Sequence, residues 1–216
     1  MKVYFVTQND YKVKEVKAIM KEYGIKIDKL NLEKDEMKEK PIEQVAVENA
    51  EKFARKHNVP VIVEDTGFYF HAYGNFPGSN PKLMYGLLGY KGLMKLLENE
   101  QNRGAEFRSA VAFSDGQQTK LIIGKLTGRV SDCVHGEDID VMPYERIFIA
   151  DGHEKPLAFL PRAEKNKMSH RAKAFREMAD WLNQKHNLKK EEKVQDSLQE
   201  DEFPEMHNYE MNGDYY

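Results

Sequence analysis

The sequence has one cysteine in 216 residues, Cys133, which excludes an intrachain disulfide framework and fits a reducing compartment. No apolar run approaches the roughly 20 residues that a membrane-spanning helix requires, so no membrane partner is expected. No signal or transit peptide is expected, because Met1-Lys2 leads straight into an apolar strand; a cytoplasmic protein is the expectation. Internal repeats are absent. So is any strong charge bias, and the formal net charge of −3 is unevenly spread. Residues 189–216 hold three Lys against nine Asp plus Glu, or −6, which leaves +3 on residues 1–188. A body that weakly basic is far too little biased to indicate nucleic-acid binding, so no nucleic-acid partner is expected, but it suits a small polyanion. The acidic segment mixes Gln, Asn, Met and Tyr without an apolar period, the composition of a disordered tail. The expected division is therefore a folded domain over 1–188 and a tail over 189–216.

The sequence as a whole is rich enough for a core, with a hydrophobic fraction of 40% and an aromatic fraction of 11%. Its organising stretch is Val59-Pro60-Val61-Ile62-Val63-Glu64-Asp65-Thr66-Gly67. The β-branched run predicts a buried central strand that stops at two carboxylates. The ends of such strands are where α/β sheets bind ligands. Asp65 would there offer oxygen to a divalent cation, although Asp-Thr-Gly is also ordinary turn chemistry.

Taken in order, Val3–Val6 reads as a first strand and Thr7-Gln8-Asn9-Asp10 as a capping turn. Val13, Val16, Met20 and Tyr23 then keep helical spacing. Thr7, Asn9 and Lys12 gather at that helix N-terminus, which suits a phosphate and equally suits a plain cap with a solvated lysine. A second strand spans 25–32, a charged loop carries Glu36 and Glu39, and Pro41 opens the next helix. Two short helices are expected at 81–88 and 92–97, and strands at 107–113, 120–123, 125–130 and 146–149. Ser169 caps a last amphipathic helix through Leu182. Lys165, His170 and Arg171 crowd its start, against the sign the helix dipole prefers.

Four segments together resemble the inosine triphosphate pyrophosphatase family. They are Thr7-Gln8-Asn9-Asp10-Tyr11-Lys12-Val13-Lys14-Glu15; Glu48-Asn49-Ala50; Val63-Glu64-Asp65-Thr66-Gly67 with Phe76-Pro77-Gly78; and Lys165-Asn166-Lys167-Met168-Ser169-His170-Arg171. The resemblance covers residues 3–182 and implies an α/β fold, an elongated mixed central sheet flanked by helices. It implies a homodimer that uses Mg²⁺ to split purine nucleoside triphosphates into monophosphate and pyrophosphate, preferring deaminated bases. By position it implies that Thr7, Asn9 and Lys12 hold the triphosphate, with Lys12 also assisting catalysis. Asp65 and Glu36 (or Glu39) would carry the metal, with Asp65 also activating water. Thr66, Tyr144, Glu145, Lys165, His170 and Arg171 would complete the substrate site.

The departures fall at the base-binding loop, where the family pattern F-G-[YW]-D-P-x-F becomes Met142-Pro143-Tyr144-Glu145-Arg146-Ile147-Phe148. Methionine covers a ring less rigidly than an aromatic, and Pro143 removes an N–H. Two further readings therefore stand beside the first. One is a pyrophosphatase for a modified pyrimidine or another triphosphate; the other is a nucleotide-binding protein with weakened turnover.

Overall fold

The protein is described by a computed structural model covering residues 1–34, 40–74 and 76–186. Glu36, Glu39 and the acidic segment 189–216 lie outside the described residues. A mixed sheet forms the centre, in the order β2-β1-β3-β5-β6-β7, with β4 paired to β3. The strands are β1 (Lys2–Val6), β2 (Lys26–Leu30), β3 (Val61–Phe70), β4 (Pro77–Gly78), β5 (Gly104–Ser114), β6 (Thr119–Val130) and β7 (Phe148–Ala150). β1 runs parallel to β2 and β3, and every other pairing is antiparallel. Parallel neighbours require crossovers, and α1 (Asp10–Lys21) and α2 (Ile42–His57) supply them.

Alternation along the strands sorts the core onto two faces. On one face Phe5, Ile62, Val111 and Phe113 pack under Val16 and Met20 of α1 and under Phe175, Met178 and Leu182 of α5 (His170–His186). Further along that face Phe68, Phe70, Leu126 and Phe148 meet Tyr144 and Leu93, the latter from α3 (Pro81–Leu96). The opposite face packs Val61, Val63, Ala110 and Ala112 against Ile42, Ala46, Ala50 and Phe53 of α2.

Three elements differ from the sequence expectation. β3 does not stop at the carboxylates; it stays paired with β5 from Val61↔Ser114 to Phe70↔Ala105. The strand that stops there is β1, whose last partner pair with β3 is Val6↔Val63. β4 takes up that edge only at Phe68. Among the described residues, Glu64 to Gly67 thus have a strand partner on one side only, which makes a polar opening in an otherwise apolar strand. β6 is one strand where two were expected. α3, by contrast, is broken at Gly89 (φ 58°, ψ −174°), a backbone conformation that only glycine adopts easily, so the two short helices expected there are its two halves. α4 (Arg162–Met168) is a short helix that the sequence reading passed over, and it delivers Lys165 to the start of α5.

Candidate active site

The turn after β1 is built by its own side chains. Thr7 Oγ1 accepts from Asn9 N at 3.1 Å, and Asn9 Oδ1 caps α1 by accepting from Lys12 N at 3.1 Å. This geometry fixes Lys12 on the inner side of α1, where it is buried. Its Nζ donates to Glu64 Oε2 at 2.8 Å. An ammonium has three donors, and Glu64 accepts one of them.

Glu64, fully buried in β3, is the hub of the site. Beside Lys12 it accepts from Ser109 Oγ at 2.9 Å, from Thr66 Oγ1, and from Arg171 Nε at 3.2 Å. Arg171 also donates through Nη1 to Glu15 Oε2 at 2.9 Å, and Ser169 Oγ lies 3.3 Å from Glu15 Oε1. Ser169 caps α5 as its sequence suggested, accepting from Ala172 N at 3.0 Å. One network therefore joins the two helix starts that carry Lys12 and Arg171. Burial alone would push the Glu64 carboxyl up; the Arg171 guanidinium and the Lys12 ammonium outweigh it and hold it well below the usual range. Lys12 is pulled down, chiefly by burial and further by Arg171 and Lys34, so this cation would gain from another anionic oxygen.

Asp65 follows Glu64 on an extended strand and so faces the opposite side. It does not meet Lys12; its Oδ1 takes Lys34 Nζ at 3.2 Å, and the same Nζ donates to Glu64 O at 2.9 Å. Burial raises the Asp65 carboxyl although Lys34 and Lys12 work against it. The carboxylate sits beside the open edge of β3 and not on a loop. Among the described residues, no three His, Cys, Asp or Glu side chains form a metal cage. Mg²⁺ needs less, because it keeps waters and takes one or two carboxylates together with substrate phosphates. Asp65 fits that donor set: a hard oxygen, raised by burial, with one lysine for company.

The other end of the site brings Lys165 Nζ to Glu145 Oε2 at 2.6 Å. His170 stacks on Phe107, ring centroids 5.2 Å apart at 11°. Both of its ring nitrogens are buried without a hydrogen-bond partner. Burial, with Arg171 adding to it, lowers the imidazole to about 3, so the ring is neutral at ordinary pH. Tyr144, expected to touch substrate, is 1% exposed; its hydroxyl donates to Pro81 O at 3.0 Å and its ring packs on Phe68 at 4.6 Å. A phenol that finds a partner for its O–H can fill a core, and this one does. Thr66 likewise spends its hydroxyl on Glu64.

Sequence reasoning missed Glu64, Glu15, Ser109, Lys34 and Phe107. Glu64 was within reach of it: two adjacent carboxylates on a strand face opposite ways, and a lysine on α1 can meet only one.

A model of the Ham1 family matches residues 3–181. A dITP/XTP pyrophosphatase from Methanopyrus kandleri is 37% identical over 182 residues, 84% of this chain and 96% of that protein. Another from Thermococcus kodakarensis is 33% identical over 189 residues, 88% of this chain and all of its own length. The solved structure of the Staphylococcus aureus Ham1 protein superposes with a TM-score of 0.71 at 22% identity, covering 86% of this chain and 100% of that one. At that identity the likeness concerns the fold alone. With the family model spanning nearly all described residues, the chain belongs to the Ham1 family.

Proposed function

We propose that the protein hydrolyses deaminated purine nucleoside triphosphates, such as dITP, XTP and ITP, to the monophosphate and pyrophosphate. The observation that carries this reading is the pairing of opposites at one site. Two cations, Lys12 and Arg171, share the buried Glu64, while the neutral His170 presents unpaired ring nitrogens. Anionic phosphates suit Lys12, and a polar base edge suits His170 with Arg171 beside it. The names of the relatives, dITP/XTP pyrophosphatases, support the same substrate class.

In this reading the triphosphate lies at the start of α1, where backbone N–H groups and the helix dipole attract anions. Thr7 and Asn9 shape that turn, and Lys12 donates its remaining N–H groups to phosphate oxygens. Water attacks the α-phosphorus; the new P–O bond forms as the bridging P–O bond to the β-phosphate breaks and pyrophosphate leaves. Asp65 orients that water and accepts its proton, a role favoured by a carboxyl raised by burial. Mg²⁺, when bound, would be held by Asp65 and by Glu36 or Glu39, and would neutralise charge on the departing pyrophosphate. His170, Arg171 and Lys165 serve the base, where a 6-keto oxygen accepts and an adenine amino group does not.

The test is pyrophosphate release with Mg²⁺ from dITP, XTP, ITP, dUTP, UTP, ATP and GTP. We expect kcat/KM for the deaminated purines to exceed that for ATP by roughly 10,000-fold, the scale set by a site built to bond a group that the competitor lacks. A maximum at a pyrimidine would favour the second reading, for which Met142, Pro143 and Glu145 speak. Binding without release would favour a nucleotide-binding protein.

The reading extends to a cytoplasmic homodimer with an appended tail. Leu83, Leu87 and Leu88 of α3 are exposed, and a second copy would cover them. Truncation after Leu188 is expected to leave the solution mass at twice the chain mass and the Tm unchanged, because polar segments of this composition bury little. Light scattering and a melt check it; a monomer, or a melt lowered by several degrees, contradicts the division.

A further inference from the structure

We propose that Phe107 of β5 is a positioning residue for base recognition: its ring holds the His170 imidazole flat and leaves both ring nitrogens free for the base edge. The inference rests on the reading of His170 as a base-facing group and goes beyond it by naming what sets that group's orientation.

The observation is a division of labour along one face of β5. Phe107 and Ser109 are two residues apart on an extended strand and point the same way. Above them lie His170 and Arg171, neighbours in chain at the first turn of α5. Ser109 binds Glu64, and Glu64 takes Arg171. Phe107 takes His170, face to face at 5.2 Å and 11°. The strand thus draws one side chain into a charged network and the next onto an apolar ring. An aromatic face cannot occupy an imidazole's in-plane donor and acceptor, so the stack fixes the ring without using its nitrogens.

The ring beneath is itself immobilised. Phe107 meets Phe68 at 4.5 Å and Phe148 edge-on at 5.1 Å and 81°. Gly124, on the adjoining strand, supplies the clearance: a Cβ there would lie 1.9 Å from His170 O and 2.8 Å from Ala174 N. The start of α5 can approach the sheet this closely only over a glycine. The result is a polar ring in a dry position with unsatisfied nitrogens, an arrangement that native proteins seldom keep without a ligand to satisfy it.

The experiment measures kcat and KM for ITP and ATP in Phe107→Leu, Phe107→Tyr, His170→Ala and the double variant Phe107→Leu/His170→Ala, each with its Tm. Leucine keeps the site apolar and removes the flat face; tyrosine keeps the ring. We expect Phe107→Leu to lower the ITP/ATP ratio of kcat/KM roughly tenfold, mainly through the ITP KM, and Phe107→Tyr to retain most of the ratio. In the His170→Ala background, Phe107→Leu should have no further effect on the ratio, since coupled residues are not additive. Equal losses for ITP and ATP, or a full effect persisting without His170, would show ordinary packing and overturn the proposal. If His170→Ala itself leaves the ratio unchanged, the base-facing reading of His170 fails first. If His170→Ala lowers the ratio and Phe107→Leu does not, only the role of Phe107 fails.

Discussion

Glu64→Gln is expected to destabilise the fold by about 3–5 kcal/mol, the range for removing one partner of a buried charge network. The carboxylate lies between Lys12 at 2.8 Å and Arg171 at 3.2 Å. A neutral amide would leave both cations buried and would turn two N–H donors toward groups that are themselves donors. Urea unfolding near neutral pH measures the loss. The acid limb checks its origin. The folded Glu64 carboxyl sits well below its ordinary value, so its contribution is present above about pH 4.3 and is lost as pH falls through the folded value. Glu64→Gln should therefore flatten the stability curve below about pH 4.3. His170 acts in the same direction and earlier. Its folded value of about 3 lies below the unfolded one of 6.5, so from pH 6.5 downward the unfolded chain takes up a proton that the folded chain refuses. The expected slope is up to about 1.4 kcal/mol per pH unit across that window, and His170→Ala should remove it. A variant Glu64→Gln as stable as the parent would mean that the network does not hold the two helix starts together.

The fold was legible wherever periodicity was strong. Val3–Val6, the apolar faces of α1 and α2, and the helix after Ser169 all follow from spacing and capping. The end of β3 was not, because carboxylates look like a strand's end when only the side chains are read. Whether a strand continues depends on its backbone ladder, and here β5 supplies partners from Val61 to Phe70 regardless of what the side chains carry. The same gap hid the partners of Glu64. Its value comes from Ser109 and Arg171, 45 and 107 residues away in sequence, and no local pattern announces such partners. Tyr144 is the opposite case: its position in a motif suggested a ligand contact, while its packing against Phe68 and its bond to Pro81 were invisible in one dimension. Phe107 read only as another apolar strand residue until α5 was placed over it.

Asp65→Asn should behave as the mirror of Glu64→Gln, leaving the fold intact and removing the reaction. Asp65 faces away from the buried network and, among the described residues, is paired with Lys34 alone, both side chains being about a quarter exposed or less (22% and 25%). A pair of that exposure contributes little to stability, so the expected change in unfolding free energy is below about 1 kcal/mol. The chemistry loses more. Asparagine cannot accept the proton of the attacking water, and its amide oxygen is a poorer donor to a hard dication than a carboxylate. Removing a positioned general base alone costs about 100- to 10,000-fold, and kcat for pyrophosphate release from ITP should fall at least that far. ITP itself should still bind the variant, because Lys12, His170 and Arg171 are untouched, and a titration in the absence of turnover can measure this. Turnover within a few-fold of the parent would remove Asp65 from the mechanism. It would leave Glu64 as the carboxylate nearest the phosphates, a group too firmly held by two cations to act as a base.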